Sequence, residues 1–537
     1  MKVSRRQFVQ LGGAAAASAA APGWLAGDVV PRPPLAWAAR TAAQMPEPDF
    51  ATLLLNRAAF GPRPGDVERV RQMGVSAWID EQLDFESIDD SAVEERLLAN
   101  LPTLSATAAQ LLNYGDNQNI AVEELRLATL YRMAFSPRLL HEVMVEFWTD
   151  HFSIYHDTDQ CRYLKTIDDR DVIRKHALGK FKDLLTASAM SPAMLNFLNN
   201  DVSTKERPNE NYAREIMELH TLGAAVDGYP YTEEDVKNVA RCFTGWGWDQ
   251  RPTSQLRGEF RFDADRHDEA AKTVLEKFVP GAGEMSDGHM VIQILTEDHK
   301  ETPKFLARKL VRRFVTDDPD SQTPGLVTQV ADAYTRQKGD IREMVRTILY
   351  SREFKDSFAT YGGRLSRPMD LVARSLRALD VPPERFELRV NSSTNRNMRG
   401  ALAAMGQTPF YWPTPDGYPD VKEAWAASAV MLTRWNLGLA AVGVGGKFGG
   451  ELVPGFRAET PASLSTAGEA LDYWIDRLLH REMLAEDRAI LLDYLTGGGD
   501  DSTPLSTPVS GVLVTTVGAR LPELAALILD SPYFQWR

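Results

Sequence analysis

A chain of 537 residues, 44% hydrophobic and 25% charged, has the composition of an ordinary folded protein, long enough for one large core or roughly two to three domains. Its formal net charge of −14, with no Lys/Arg-rich run, argues against nucleic acid as a partner. Two cysteines, Cys161 and Cys242, exclude a disulfide framework; they read as small buried hydrophobes, with a single bridge as the alternative.

The N-terminus reads as an address. Ser4-Arg5-Arg6-Gln7-Phe8-Val9-Gln10 resembles the twin-arginine export signal, S-R-R-x-F followed by an apolar residue. An alanine-rich stretch over 11–21 follows, and Ala36-Trp37-Ala38 offers an A-x-A cleavage site, which sets residues 1–38 apart as a signal peptide. The alternatives are a disordered tail or a membrane anchor, but 11–21 falls far short of the roughly 20 apolar residues a span requires. Export by the twin-arginine machinery to the periplasm or the exterior is expected. No later segment is long and apolar enough to cross a bilayer.

Beyond residue 50 the apolar spacing follows the helical period almost throughout. Leu53, Leu54 and Leu55 lead into Asn56-Arg57-Ala58-Ala59-Phe60-Gly61-Pro62, where Gly-Pro stops the helix. Residues 66–73 and 76–83 read as two short helices broken at Gly74. Further helices are expected over 118–134, 136–153, 171–186, 209–223, 232–243, 287–297, 299–314, 323–336, 339–349, 367–380, 397–406 and 423–440. Phe260-Arg261-Phe262 and Val512-Leu513-Val514-Thr515-Thr516 carry the strand signals. Ser191, Ser351 and Ser531 each follow an apolar helix end and read as the cap of the next helix. The Gly/Pro-rich residues 441–465 read as a linker or long loop. They separate a main helical domain over 50–440 from a C-terminal helical segment over 466–537 that packs on it. The expected class is mostly α, a large multi-helix globular domain with few or no strands.

The densest chemistry lies in 209–223, N-E-N-Y-A-R-E-I-M-E-L-H-T-L-G, where ionisable groups interrupt a helix that otherwise reads as core. Asn209 suits the N-cap and Glu210 the positive helix start. At 100° per residue, Tyr212, Ile216, Leu219 and Leu222 set the apolar face. Glu215 then falls about 45° from its centre, and Glu218 and His220 about 100° off on opposite flanks. A second helix offers a partner, because Leu140, Met144, Phe147 and His151 share one face. His151, Glu215, Glu218 and His220 are the candidate catalytic residues, for acid/base work or with a metal ion held by His151, Glu215 and His220. The competing reading makes His151 a satisfied core histidine and pairs Glu215 with an arginine from another helix. Sequence motifs for zincins, serine hydrolases, P-loops and dinucleotide binding are missing.

Aromatic loops form a second set. Trp246 and Trp248 follow a helix, His267 sits in a polar turn, and Gln407, Trp412 and Tyr418 belong to a Gly/Pro-rich run. They are candidate ligand-binding residues, with anchoring of loops onto the core as the competing reading.

In chain order the sequence carries L-N-R-A-A-F-G-P at 55–62, F-W-T-D-H-F at 147–152, the 209–223 segment and Phe243-Thr244-Gly245-Trp246. His267-Asp268 with Lys272-Thr273, Arg308-Lys309-Leu310 and the run from Gly406-Gln407 to Trp425 follow. This combination resembles the bacterial "domain of unknown function 1800" family over about residues 50–440. Gly417-Tyr418-Pro419 stands where the family pattern has G-W-P. The resemblance implies an exported, mostly helical protein, often encoded near a sulfatase-like companion, without an established activity. Two function classes follow: an envelope enzyme with a carboxylate–histidine site between helices, or a non-catalytic partner or scaffold of the sulfatase-like protein.

Overall fold

The computed structural model describes residues 44–114, 119–224, 230–443, 460–505 and 517–537. Residues 1–38, read as a signal peptide, the strand expected at 512–516 and most of the expected linker over 441–465 lie outside the described residues. Within them the chain is mostly α, with four short strands in two antiparallel pairs, Trp246–Trp248 with Phe260–Phe262 and Lys272–Val274 with Lys277–Val279. No described helix is long and apolar enough to cross a membrane.

One hydrophobic cluster runs from Met45 to Phe534, so the C-terminal helices share the core of the main body. The Leu521–Asp530 helix packs on both Ser428–Ala441 and Ala467–Leu479. Beyond it, Leu365 and Trp536 form an isolated antiparallel bridge that ties the last residues back to the middle of the chain. The Leu139–His151 helix is buried along almost its whole length, its apolar residues in the core and its buried His141, Glu142 and Glu146 each given a polar partner. Cys161 and Cys242 are both free and buried.

Two helices break where the periodicity continues. The stretch 171–186 is interrupted before Phe181–Ala189, because the backbone at Gly179 and Phe181 pairs with Ile341 and Gly339 instead. The stretch 423–440 becomes a short 3-10 turn, Lys422–Ala424, followed by Ser428–Ala441. Of the three serine corners, Ser351 alone caps with its side chain, whereas Ser191 donates to Asp168 and Ser531 to the Ile528 carbonyl.

Three π-helical turns are inserted among the described residues: Asp169–Ile173, Glu218–Leu222 and Ile294–Asp298. Such turns widen the helix by one residue and often accompany functional sites. The second falls inside the segment that the sequence singles out.

Candidate functional site

Asn209 caps the Glu210–Met217 helix by accepting from Asn211 N at 3.0 Å, as expected. Beyond Met217 the phase changes. A π turn advances each residue by less than the 100° of an α-helix, so side chains after Met217 lag behind their α positions. His220 is thereby rotated fully into the core, and Leu219 is left half-buried. Ala213 and Met217 are also buried, which moves the core-facing stripe away from Glu215. The expected order is reversed: Glu215 and Glu218 are half-buried at the edge, and His220 points inward. Neither glutamate forms a hydrogen bond or ion pair with the described residues. The competing reading pairs Glu215 with an arginine of another helix, but Arg241 pairs with Asp268 and Arg308 with Asp320.

His151 and His220 do come together, with ring centroids 5.8 Å apart. His151 Nε2 donates to the His220 carbonyl at 3.1 Å, which fixes its tautomer. Its Nδ1 then accepts from Lys309 Nζ at 2.9 Å. Trp148, Phe152, Phe181 and Phe305 surround the ring. Burial, reinforced by Lys309 and His220, holds the His151 imidazole well below its ordinary range, so it is neutral. His220 is pushed down to about 3 by burial and Lys309, and neither of its ring nitrogens has a hydrogen-bond partner.

Lys309 is the site residue absent from the expectations. It lies on the Glu301–Phe314 helix, against which the Glu218–Leu222 turn packs. Gly223 ends that turn at φ 89°, and a Cβ there would stand 3.1 Å from the Phe305 ring, so the close approach requires glycine. Burial pushes the Lys309 amine down to about 8, helped by Arg312 and opposed by Asp150, Asp420 and Asp416. No carboxylate among the described residues lies within ion-pair distance of it, and the side chain is half-buried. Glu215 is raised by its own burial and by Glu218 and Asp416, so Asp416 faces both groups electrostatically. The only local signal for Lys309 was its place in the Arg308-Lys309-Leu310 motif.

The set His151, Glu215 and His220 does not assemble as a metal centre. Both ring nitrogens of His151 are engaged, and no group of three or more His, Cys, Asp or Glu among the described residues is arranged to hold an ion.

A neighbouring network has the opposite character. Glu146 is shared by Arg313 and Arg367, Arg367 also holds Asp150 at 2.7 Å, and Arg364 bridges Asp317 and Asp420 at 2.7 Å each. Arg537 pairs with Asp370 at 2.7 Å. Arg57, from the first motif, donates to the carbonyls of Arg537, Phe314 and Val315. Gly61 of the same motif lets Arg374 pass where a Cβ would stand 2.7 Å from its Cγ.

The aromatic candidates resolve mostly as anchors. Trp246 is buried against Phe243 and Phe260, and Trp248 donates to Asp201 at 3.1 Å. His267 Nδ1 donates to the Thr244 carbonyl at 2.8 Å, with Asp287 on its other side. Gln407 Oε1 accepts from Met369 N at 3.0 Å, at the start of the Pro368–Ala378 helix. The Tyr418 hydroxyl donates to Thr408 O at 2.6 Å and accepts from Thr408 N at 3.1 Å. These five are buried and stitch loops to the core: Trp248, His267, Gln407 and Tyr418 through backbone or carboxylate hydrogen bonds, and Trp246 through its aromatic contacts alone, its indole N–H having no partner among the described residues. Trp412 stays half-buried; it contacts Tyr418 and donates to Asp416 at 2.8 Å. The loop also abuts the end of the Leu139–His151 helix, where a Cβ on Gly417 would collide with the Asp150 carbonyl.

A family model described as "Protein of unknown function (DUF1800)" matches residues 53–536, extending past residue 440 through the C-terminal helices. No curated protein and no solved structure matches the chain. The chain belongs to the DUF1800 family.

Proposed function

We propose that this chain is an exported enzyme whose reacting group is the Lys309 amine, poised by His151. The observation that carries this reading is the 2.9 Å contact between Lys309 Nζ and a neutral His151 whose other nitrogen is fixed on the His220 carbonyl. An amine at about 8 is unprotonated in roughly a tenth of molecules at pH 7, far more than an ordinary lysine. Unprotonated, it can take a proton from a substrate or add to an electrophilic carbon, and the neutral His151 ring orients Nζ by accepting its hydrogen bond at Nδ1. Glu215, Glu218 and Asp416 form an acidic border to the same side. Support for export is the twin-arginine pattern at residues 4–10 with the cleavage site at 36–38, and an exported enzyme would meet its substrate outside the cytoplasm.

A second reading, a non-catalytic partner of a sulfatase-like protein, is favoured by the aromatic loops serving as anchors. The two separate on the reactivity of one amine. Competitive acetic anhydride labelling from roughly pH 6 to 11, read peptide by peptide, should show Lys309 titrating near 8 while surface lysines titrate near 10.4. His151→Phe should shift the Lys309 curve. A Lys309 that titrates with the surface lysines would overturn the enzyme reading and leave the partner role.

A further inference from the structure

A second polar centre lies near the opposite end of the Leu139–His151 helix, independent of Lys309. An open cleft of about 450 Å³ is bounded there by Glu94, Leu98, Leu104, Leu125, Arg132, Asp169, Arg170 and Arg174, among others. Asp169 opens the Asp169–Ile173 π turn, is 3% exposed, and forms no hydrogen bond or ion pair with the described residues. A carboxyl buried in this way costs free energy unless a donor reaches it.

The surrounding guanidiniums are already committed. Arg132 grips Glu94 through Nε and Nη2 at 2.6 and 2.7 Å. Arg174 holds Glu142 with both Nη atoms. Arg170 holds Asp171 at 2.9 and 2.8 Å and donates to the carbonyls of Leu104 and Ala106. Each arginine thus has a carboxylate of its own, and Asp169 is the acid left over. Burial raises its carboxyl, against the pull of Arg174, Arg132 and Lys165.

Charge decides what complements this arrangement. A cationic ligand would meet three guanidiniums, and an anionic one would meet the unpaired acid. A neutral ligand rich in hydroxyls can donate to Asp169, accept from the spare N–H groups of Arg132 and Arg174, and lay an apolar C–H face on the exposed Leu98 at the cleft edge. We propose that this cleft binds a neutral sugar, a hexose unit or a short neutral oligosaccharide.

The test is calorimetric titration of the full chain with glucose, galactose, N-acetylglucosamine, maltose and cellobiose, with glucuronate and putrescine as charged controls. At least one neutral sugar should bind saturably with a millimolar Kd. Asp169→Ala should weaken it by about tenfold or more, through loss of a buried acceptor. Because Asp169 has no hydrogen-bond or ion-pair partner among the described residues, that variant is expected to fold. Ser105→Trp, at an exposed position on the cleft edge, should block binding by filling it. No saturation by any neutral sugar, equal binding in both variants, or binding of the charged controls alone would each overturn the proposal.

Discussion

The same two helices meet in two chemically different ways. Glu146 and His151 lie little more than one turn apart on Leu139–His151, and Arg313 and Lys309 one turn apart on Glu301–Phe314. At Glu146 the contact is a carboxylate shared by two guanidiniums, Arg313 and Arg367. At His151 it is an amine against an imidazole, with no carboxylate of the described residues in ion-pair reach. The first closes its charge locally and fixes packing. The second leaves a lysine whose proton is loosely held. Buried charge marks a reactive group only where its neighbours do not neutralise it.

Breaking the paired contact should have the largest effect. Glu146→Gln removes the carboxylate charge that two buried guanidiniums share, leaving Arg367 with Asp150 and Arg313 with Asp370, and should cost about 3 kcal/mol in urea unfolding. A cost under about 1 kcal/mol would erase the contrast. Next comes acid sensitivity at the unpaired end. His220 titrates at about 3 when folded and near 6.5 when unfolded. Between those values the unfolded chain binds the extra proton, so stability is full above 6.5 and falls on acidification. The slope for this one group is about 1.4 kcal/mol per pH unit, and His220→Leu should remove it from the pH dependence of unfolding. A variant whose slope equals that of wild type would mean that His220 is not the buried neutral imidazole described, since His151 contributes equally to both.

Smaller effects sharpen the comparison. Tyr418→Phe leaves the Thr408 backbone groups without their shared partner and should cost about 1 kcal/mol in thermal unfolding. No change would mean that Tyr418 is not an anchor. Lys309→Met should be nearly neutral, within about 1 kcal/mol of wild type in urea, since it replaces a poorly compensated cation by an apolar chain of similar length. A loss as large as that of Arg313→Met would make Lys309 another packing residue and remove the difference between the two contacts.

Much of the fold was legible because helical periodicity is local. The cap at Asn209, the break at Gly74 and the strand at Phe260–Phe262 each follow from a few neighbouring residues. His151 was found on the apolar face of its helix for the same reason. Glu215 and His220 were exchanged because one π turn, which no residue type announces, resets the phase beyond Met217. The aromatic loops were ambiguous, since the same Trp and Tyr can line a pocket or pin a loop until their polar tips are located.

By itself the sequence determined the helical class, the segments resembling the family and the residue types that bring chemistry into the core. These depend on composition and spacing within one element. The tertiary structure decided which charges are neutralised. Lys309 meets His151 across 158 residues of chain, Arg313 meets Glu146 across 167, and Asp169 is left alone while Arg132, Arg170 and Arg174 find partners. An ionisable group takes its character from its distance to other charges and to water, and only the packed chain sets those distances.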